Sequence, residues 1–143
     1  MITEATCRII SHEVAHAILA HMLGLRVVYT TRDPRDAGQT CAVFRDDDTR
    51  SLKEVAFARA VLTIGAVWYE CGLVDGEALF CADSDVQKAS MLADAAGFDL
   101  LEAAAYARDL FASEQFRTLH SRLFDAMMHK VHLDERELAR LLR

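Results

Sequence analysis

The stretch SHEVAHAILAHMLG, residues 11–24, places His12 and His16 four positions apart with Glu13 beside the first of them. Strong helix formers fill positions 3–23, and Ile9, Ile10, Ala17 and Leu23 recur within helical reach. Gly24 supplies a stop, so the pattern predicts one helix over 3–23. Residues four apart on a helix lie nearly above one another, so His12 and His16 present two imidazole nitrogens to one point. Glu13 projects next to them. The rest of the chain has to supply whatever completes this group.

The pattern H-E-x-x-H has a chemical purpose. Zinc held by the two histidines lowers the pKa of a bound water to about 7, and the adjacent glutamate takes the water's proton and returns it to the leaving amine. With six histidines and nine glutamates in 143 residues, only about 0.015 accidental matches are expected in such a chain. A zinc enzyme also needs a third protein ligand. His21 lies five residues past His16, a rotation of about 140° around a helix, so it points elsewhere. The extended pattern H-E-x-x-H-x-x-G-x-x-H fails as well, because Leu19 and Met22 occupy the glycine and third histidine positions. The segment CADSDVQKAS offers Asp83 and Asp85, although aspartates at a helix start also serve as caps and complement the dipole. Glu70 and Glu77 compete with them, and the residues alone leave the choice open.

The chain is long enough for one domain with a single core, and 52% of it is hydrophobic against 27% charged. A net charge of -6 gives no footprint for phosphate backbones, so nucleic acid is not an expected partner. The longest apolar stretch, Val55 to Leu73, carries Arg59 and Glu70; it reads as a buried core helix rather than a membrane span. No export pattern opens the sequence, which makes a cytoplasmic setting the expectation. Cys7, Cys41, Cys71 and Cys81 have no C-x-x-C spacing and are expected as small buried apolar side chains.

LRVVYTT and QTCAVF are rich in β-branched and aromatic residues and flank a loop holding Pro34 and Gly38, so two short strands are expected at about 26–31 and 39–44. RDDDT reads as a solvated loop. Helices follow near 51–73, from 83 to Gly97, at 99–112, at 114–130 and at 134–142. The apolar residues of RLFDAMM are expected to pack in the core. The fold class is therefore mainly α (α+β): a zincin-like helical domain with a small β-hairpin or sheet, forming a single metallopeptidase-like domain over 1–143.

The order of these features resembles the peptidase domain of the FtsH-type ATP-dependent zinc metalloproteases. HEVAHA is similar to that family's HEAGHA helix, PRDAGQT to its strand-loop-strand segment, and SDVQKAS to its ND(L/I)..AT helix start, in the same order. TIGAVWYECGL resembles its GGR.AEE helix, with Ala66 in place of the arginine and Trp68 and Tyr69 in place of Ala-Glu. The likeness spans roughly residues 8–97, and Ala15 replaces the glycine before the second histidine. Carried over, it implies that His12, His16 and Asp85 bind Zn2+ and that Glu13 is the catalytic general base.

The resemblance implies a zinc metalloendopeptidase acting on peptides or unfolded protein. The family's membrane anchor and ATP-driven unfolding module have no counterpart in these residues. Substrate would then be unfolded already or delivered by a separate ATPase or other partner, without membrane contact. The family assembles as hexamers, so an oligomer is open to this chain too. A strand near 39–44 suits an extended substrate, which pairs through its main chain. The alternatives are a binding or regulatory module that keeps the peptidase fold, a different compact zincin using Glu70 or Glu77 as third ligand, and a helical domain carrying the motif by accident.

Overall fold

The computed structural model describes residues 2–33, 35, 38–73 and 82–143, with the side chains of 68, 70–73 and 82–84 outside that description. The fold is mainly helical with a small antiparallel sheet. Its elements are α1 (Glu4–Met22), β1 (Arg26–Thr31), β2 (Gln39–Val43), α2 (Leu52–Leu73), α3 (Ala82–Ala96), α4 (Leu100–Phe111), α5 (Glu114–His129), β3 (His132–Asp134) and α6 (Glu135–Leu141).

Helix α1 is the centre of the domain. The Thr3 side chain caps it by accepting from the Thr6 amide, and every residue from Ile9 to Ala20 is buried. A helix apolar around most of its circumference must be covered on several sides; α2, α5, β1 and β2 all pack on this one. Its end is a Schellman motif. The Gly24 amide bonds the His21 carbonyl at 3.0 Å and the Leu25 amide bonds the Ala20 carbonyl at 2.9 Å. Gly24 has φ +81, a left-handed conformation that releases the chain into β1.

The sheet order is β2-β1-β3, with both pairings antiparallel. A bulge falls between Val27 and Tyr29, beyond which Thr30 faces Thr40 and their hydroxyls bond at 2.8 Å. The two expected strands form as a hairpin. The third, β3, is a correction to the two-strand expectation: three residues are too few to show alternation, and HLD becomes a strand by pairing with β1. Strand β2 lies at the sheet edge and packs on α1.

Two cores meet at α1 and α2. One gathers Ile10, Val14, Ile18 and Leu19 of α1 with Phe116, Leu119, Leu123 and Met127 of α5 and Leu138 of α6. The other packs Val61, Ile64 and Val67 of α2 against Ala89 of α3 and Ala103, Ala104 and Ala107 of α4. Gly65 lets these helices approach: a Cβ there would lie 2.5 Å from Leu19 Cδ1 and 2.9 Å from the Ala107 Cβ. The apolar 55–73 stretch is thus a core helix, and no described helix is long and apolar enough to cross a membrane. Leu123 and Met127 of RLFDAMM are fully buried.

Cys7 and Cys41 are free thiols and half-buried, which corrects the expectation of full burial. Cys7 precedes the buried part of α1, and Cys41 sits on the edge strand. The Cys71 side chain and Cys81 lie outside the described residues.

Candidate metal centre

The buried middle of α1 carries His12, Glu13 and His16, whose side-chain donor atoms lie within 4.8 Å of one another. The fold then brings in Asp85 from the first turns of α3. Asp85 Oδ2 is 3.0 Å from His12 Nε2 and 3.3 Å from His16 Nε2, and the two histidine nitrogens are 3.1 Å apart. All three residues are at least nine-tenths buried. Three donor atoms thus form a closed triangle.

Helix α2 sets the chemistry of that triangle. His16 Nδ1 lies 2.8 Å from the Leu62 carbonyl oxygen, which can only accept, so the ring proton sits on Nδ1. His16 Nε2 is then a lone pair unless the ring is protonated twice. It faces a carboxylate oxygen and another imidazole nitrogen. Two acceptors meeting there need a proton or a cation between them: His12 can supply an Nε2–H as a neutral donor, and a cation shared among the three atoms serves equally. A tetrahedral zinc with bonds of 2.0–2.1 Å requires its ligand atoms to stand about 3.3–3.4 Å apart, and the observed edges are close to that value. The donor set of two imidazoles and one carboxylate fits a catalytic divalent ion.

The charges respond to burial and to one another. Burial raises the Asp85 carboxyl, but the close contacts with the His12 and His16 rings and the positive charge those rings can carry outweigh it and hold the group well below the usual carboxylate range. Glu13 moves the other way. Its burial dominates the attraction of His16 and His12, so its pKa is raised above that of an ordinary glutamate.

These groups line a cleft of about 460 Å³. One wall is Gly38 and β2, through Gln39, Thr40 and Ala42; the other is α2 and α3, through Arg59, Leu62, Thr63 and Lys88. Gly38 touches the site directly. It has φ +78, and a Cβ there would lie 2.9 Å from Glu13 Cγ and 2.6 Å from Ile9 Cγ2. The loop into β2 can lie on the glutamate only because this residue is glycine. The Thr40 hydroxyl donates to the Glu13 carbonyl at 3.1 Å and ties β2 to α1 beside the site.

His12, Glu13, His16 and Asp85 come together, whereas His21 lies outside the cleft lining, at the end of α1, where burial and Arg45 lower its pKa. The side chains of Asp83 and Glu70, and the whole of Glu77, lie outside the described residues. Sequence reasoning missed Gly38 as a packing partner of Glu13, the Leu62 carbonyl, and the two cations of the cleft. Lys88 was within reach of spacing alone, since it follows Asp85 by one helical turn.

On the opposite flank of α1, Ser11 Oγ lies 3.2 Å from His120 Nε2 of α5. The His120 ring sits among Tyr69, Phe116 and Phe124. Burial lowers the His120 pKa, and the contact with Ser11 offsets only part of that shift. This contact holds the helix turn that carries His12. No protein-family model matches the chain, and no curated protein matches it significantly.

Proposed function

We propose that this chain is a zinc-dependent metalloendopeptidase domain of the type that its motifs resemble, hydrolysing peptide bonds in unfolded or partner-delivered protein. The observation that carries the reading is the triangle of His12 Nε2, His16 Nε2 and Asp85 Oδ2, with edges of 3.0–3.3 Å, beside the buried carboxyl of Glu13.

In this reading His12, His16 and Asp85 hold Zn2+, which when bound polarises the scissile carbonyl and acidifies water. Leu62 fixes the His16 ring through Nδ1, leaving Nε2 as the ligand atom. Glu13 takes a proton from the attacking water and delivers it to the leaving amine; its raised pKa makes it a stronger base than an exposed carboxylate. The edge strand β2 offers main-chain groups to an extended peptide, and Gln39, Thr40 and Ala42 border the cleft that the bound carbonyl would enter. Main-chain pairing favours unfolded segments.

The free thiols of Cys7 and Cys41 support a reducing, cytoplasmic setting. A separate ATPase is the proposed source of substrate that is folded at the outset. The test is metal analysis of purified protein together with cleavage of casein as an unfolded substrate, with Glu13→Gln alongside. Bound zinc and turnover lost in the variant are expected. Zinc without turnover would return the chain to a binding module with a peptidase fold.

A further inference from the structure

The cleft carries charge for which the proposed chemistry has no use. Arg59 and Lys88 line it, and the other charged residues among its described walls, Glu13 and Asp85, belong to the metal group. Neither cation forms an ion pair with a carboxylate of the described residues. This is notable in a chain of net charge -6, where acids outnumber bases.

Helix spacing places both cations together. Arg59 precedes Leu62, which holds His16, by three residues, and Lys88 follows Asp85 by three, so each stands one turn from a residue that builds the site. Helices α2 and α3 run antiparallel, because Phe57 near the start of α2 packs at 5.3 Å on Phe98 just past the end of α3. A step back along α2 and a step forward along α3 therefore lead the same way. This displaces Arg59 and Lys88 to one side of the metal group, by about 4.5 Å along the helices.

Arg59 is also held in place. Its guanidinium lies 5.0 Å from the centre of the Phe44 ring, just beyond β2, and the same ring carries Arg50 at 4.8 Å. Arg50 is neutralised by Asp48, which it contacts at 2.6 Å. Arg59 has no such carboxylate beside it among the described residues. A fixed guanidinium loses little freedom when it grips a carboxylate, and the exposed ammonium of Lys88 adds attraction at longer range.

We propose that Arg59 and Lys88 form a carboxylate-binding subsite, so that peptides carrying an acidic group close to the scissile bond are selected. The inference rests on the peptidase reading of the metal group. An extended chain advances about 3.3 Å per residue, so an offset of about 4.5 Å puts the selected carboxylate one or two residues from the bond cut. Its source is either an aspartate or glutamate side chain or the free C-terminus of the substrate.

The test uses ten-residue fluorescent peptides in which one glutamate is stepped through the positions, their glutamine counterparts, and each of these with a free or an amidated C-terminus. The expected ratio of kcat/KM, glutamate over glutamine at the best position, is about tenfold, equivalent to about 1.4 kcal/mol. It should fall toward one in Arg59→Met/Lys88→Met, persist in part in Arg59→Lys, and shrink at high salt. A preference that disappears on amidation assigns the carboxylate to the C-terminus. A wild-type ratio near one, or a ratio unchanged in the double variant, overturns the subsite. Binding of the same peptides to zinc-loaded Glu13→Gln, read by anisotropy, separates this from failure of the peptidase reading. If nothing is cleaved, tighter binding of glutamate peptides that the double variant loses still supports the subsite, and equal binding overturns it.

Discussion

Asp85 Oδ2 lies 3.0 Å from His12 Nε2, although 73 residues separate them. Helix α3 is held beside α2 by packing, with Ala89 against the Val61, Ile64 and Val67 cluster. If the three atoms hold zinc, Asp85→Ala should weaken zinc binding by roughly 100-fold or more, and Asp85→Asn by less. Competition against a chromophoric chelator measures this. Removing the metal with a chelator should also lower Tm, since the three donor atoms are left facing one another without their cation.

Glu13→Gln should keep the metal and lose about 10²–10⁴-fold in turnover, the usual contribution of a general base. Metal content and kcat are measured on the same sample. A fall in both together would make Glu13 a ligand rather than a base.

Gly38→Ala places a methyl group 2.9 Å from Glu13 Cγ and 2.6 Å from Ile9 Cγ2, at a φ of +78. Strain and overpacking should cost about 1–3 kcal/mol of stability. Activity should fall by more than this loss explains at temperatures where the variant stays folded, because the added methyl displaces the glutamate. Urea unfolding beside steady-state kinetics distinguishes the two effects.

His120 gives a pH signature. Its folded pKa is lowered by burial, so between the unfolded value of 6.5 and the lower folded value the unfolded chain binds more protons. The associated stability is fully present above pH 6.5 and is lost as the pH falls toward the folded value, at a slope of at most about 1.4 kcal/mol per pH unit. His120→Gln should be less sensitive than wild type over this range. Urea midpoints of both proteins, measured from pH 8 to pH 5, test it, with His12 and His16 common to both.

Much of the local structure was legible because its causes are local. Gly24 ends α1, the β-branched runs become β1 and β2, and the apolar stretch becomes helix α2 with Ala58, Val61, Ile64 and Val67 in the core. Strand β3 was not legible, since three residues form a strand only when β1 is there to pair with them. The half-exposure of Cys7 and Cys41 likewise depends on where α1 enters the core and on which strand lies at the edge.

The same division runs through the candidate site. Helical periodicity by itself determined that His12 and His16 share a face, that Glu13 stands next to them and that His21 turns away, because a helix fixes the angle between residues a few positions apart. Only the tertiary structure decided that Asp85 closes the triangle, that Leu62 sets the His16 tautomer, that Gly38 lies on Glu13, and that Arg59 and Lys88 line the same cleft. Those relationships join segments tens of residues apart, and their distances are set by how the helices and the sheet pack on α1.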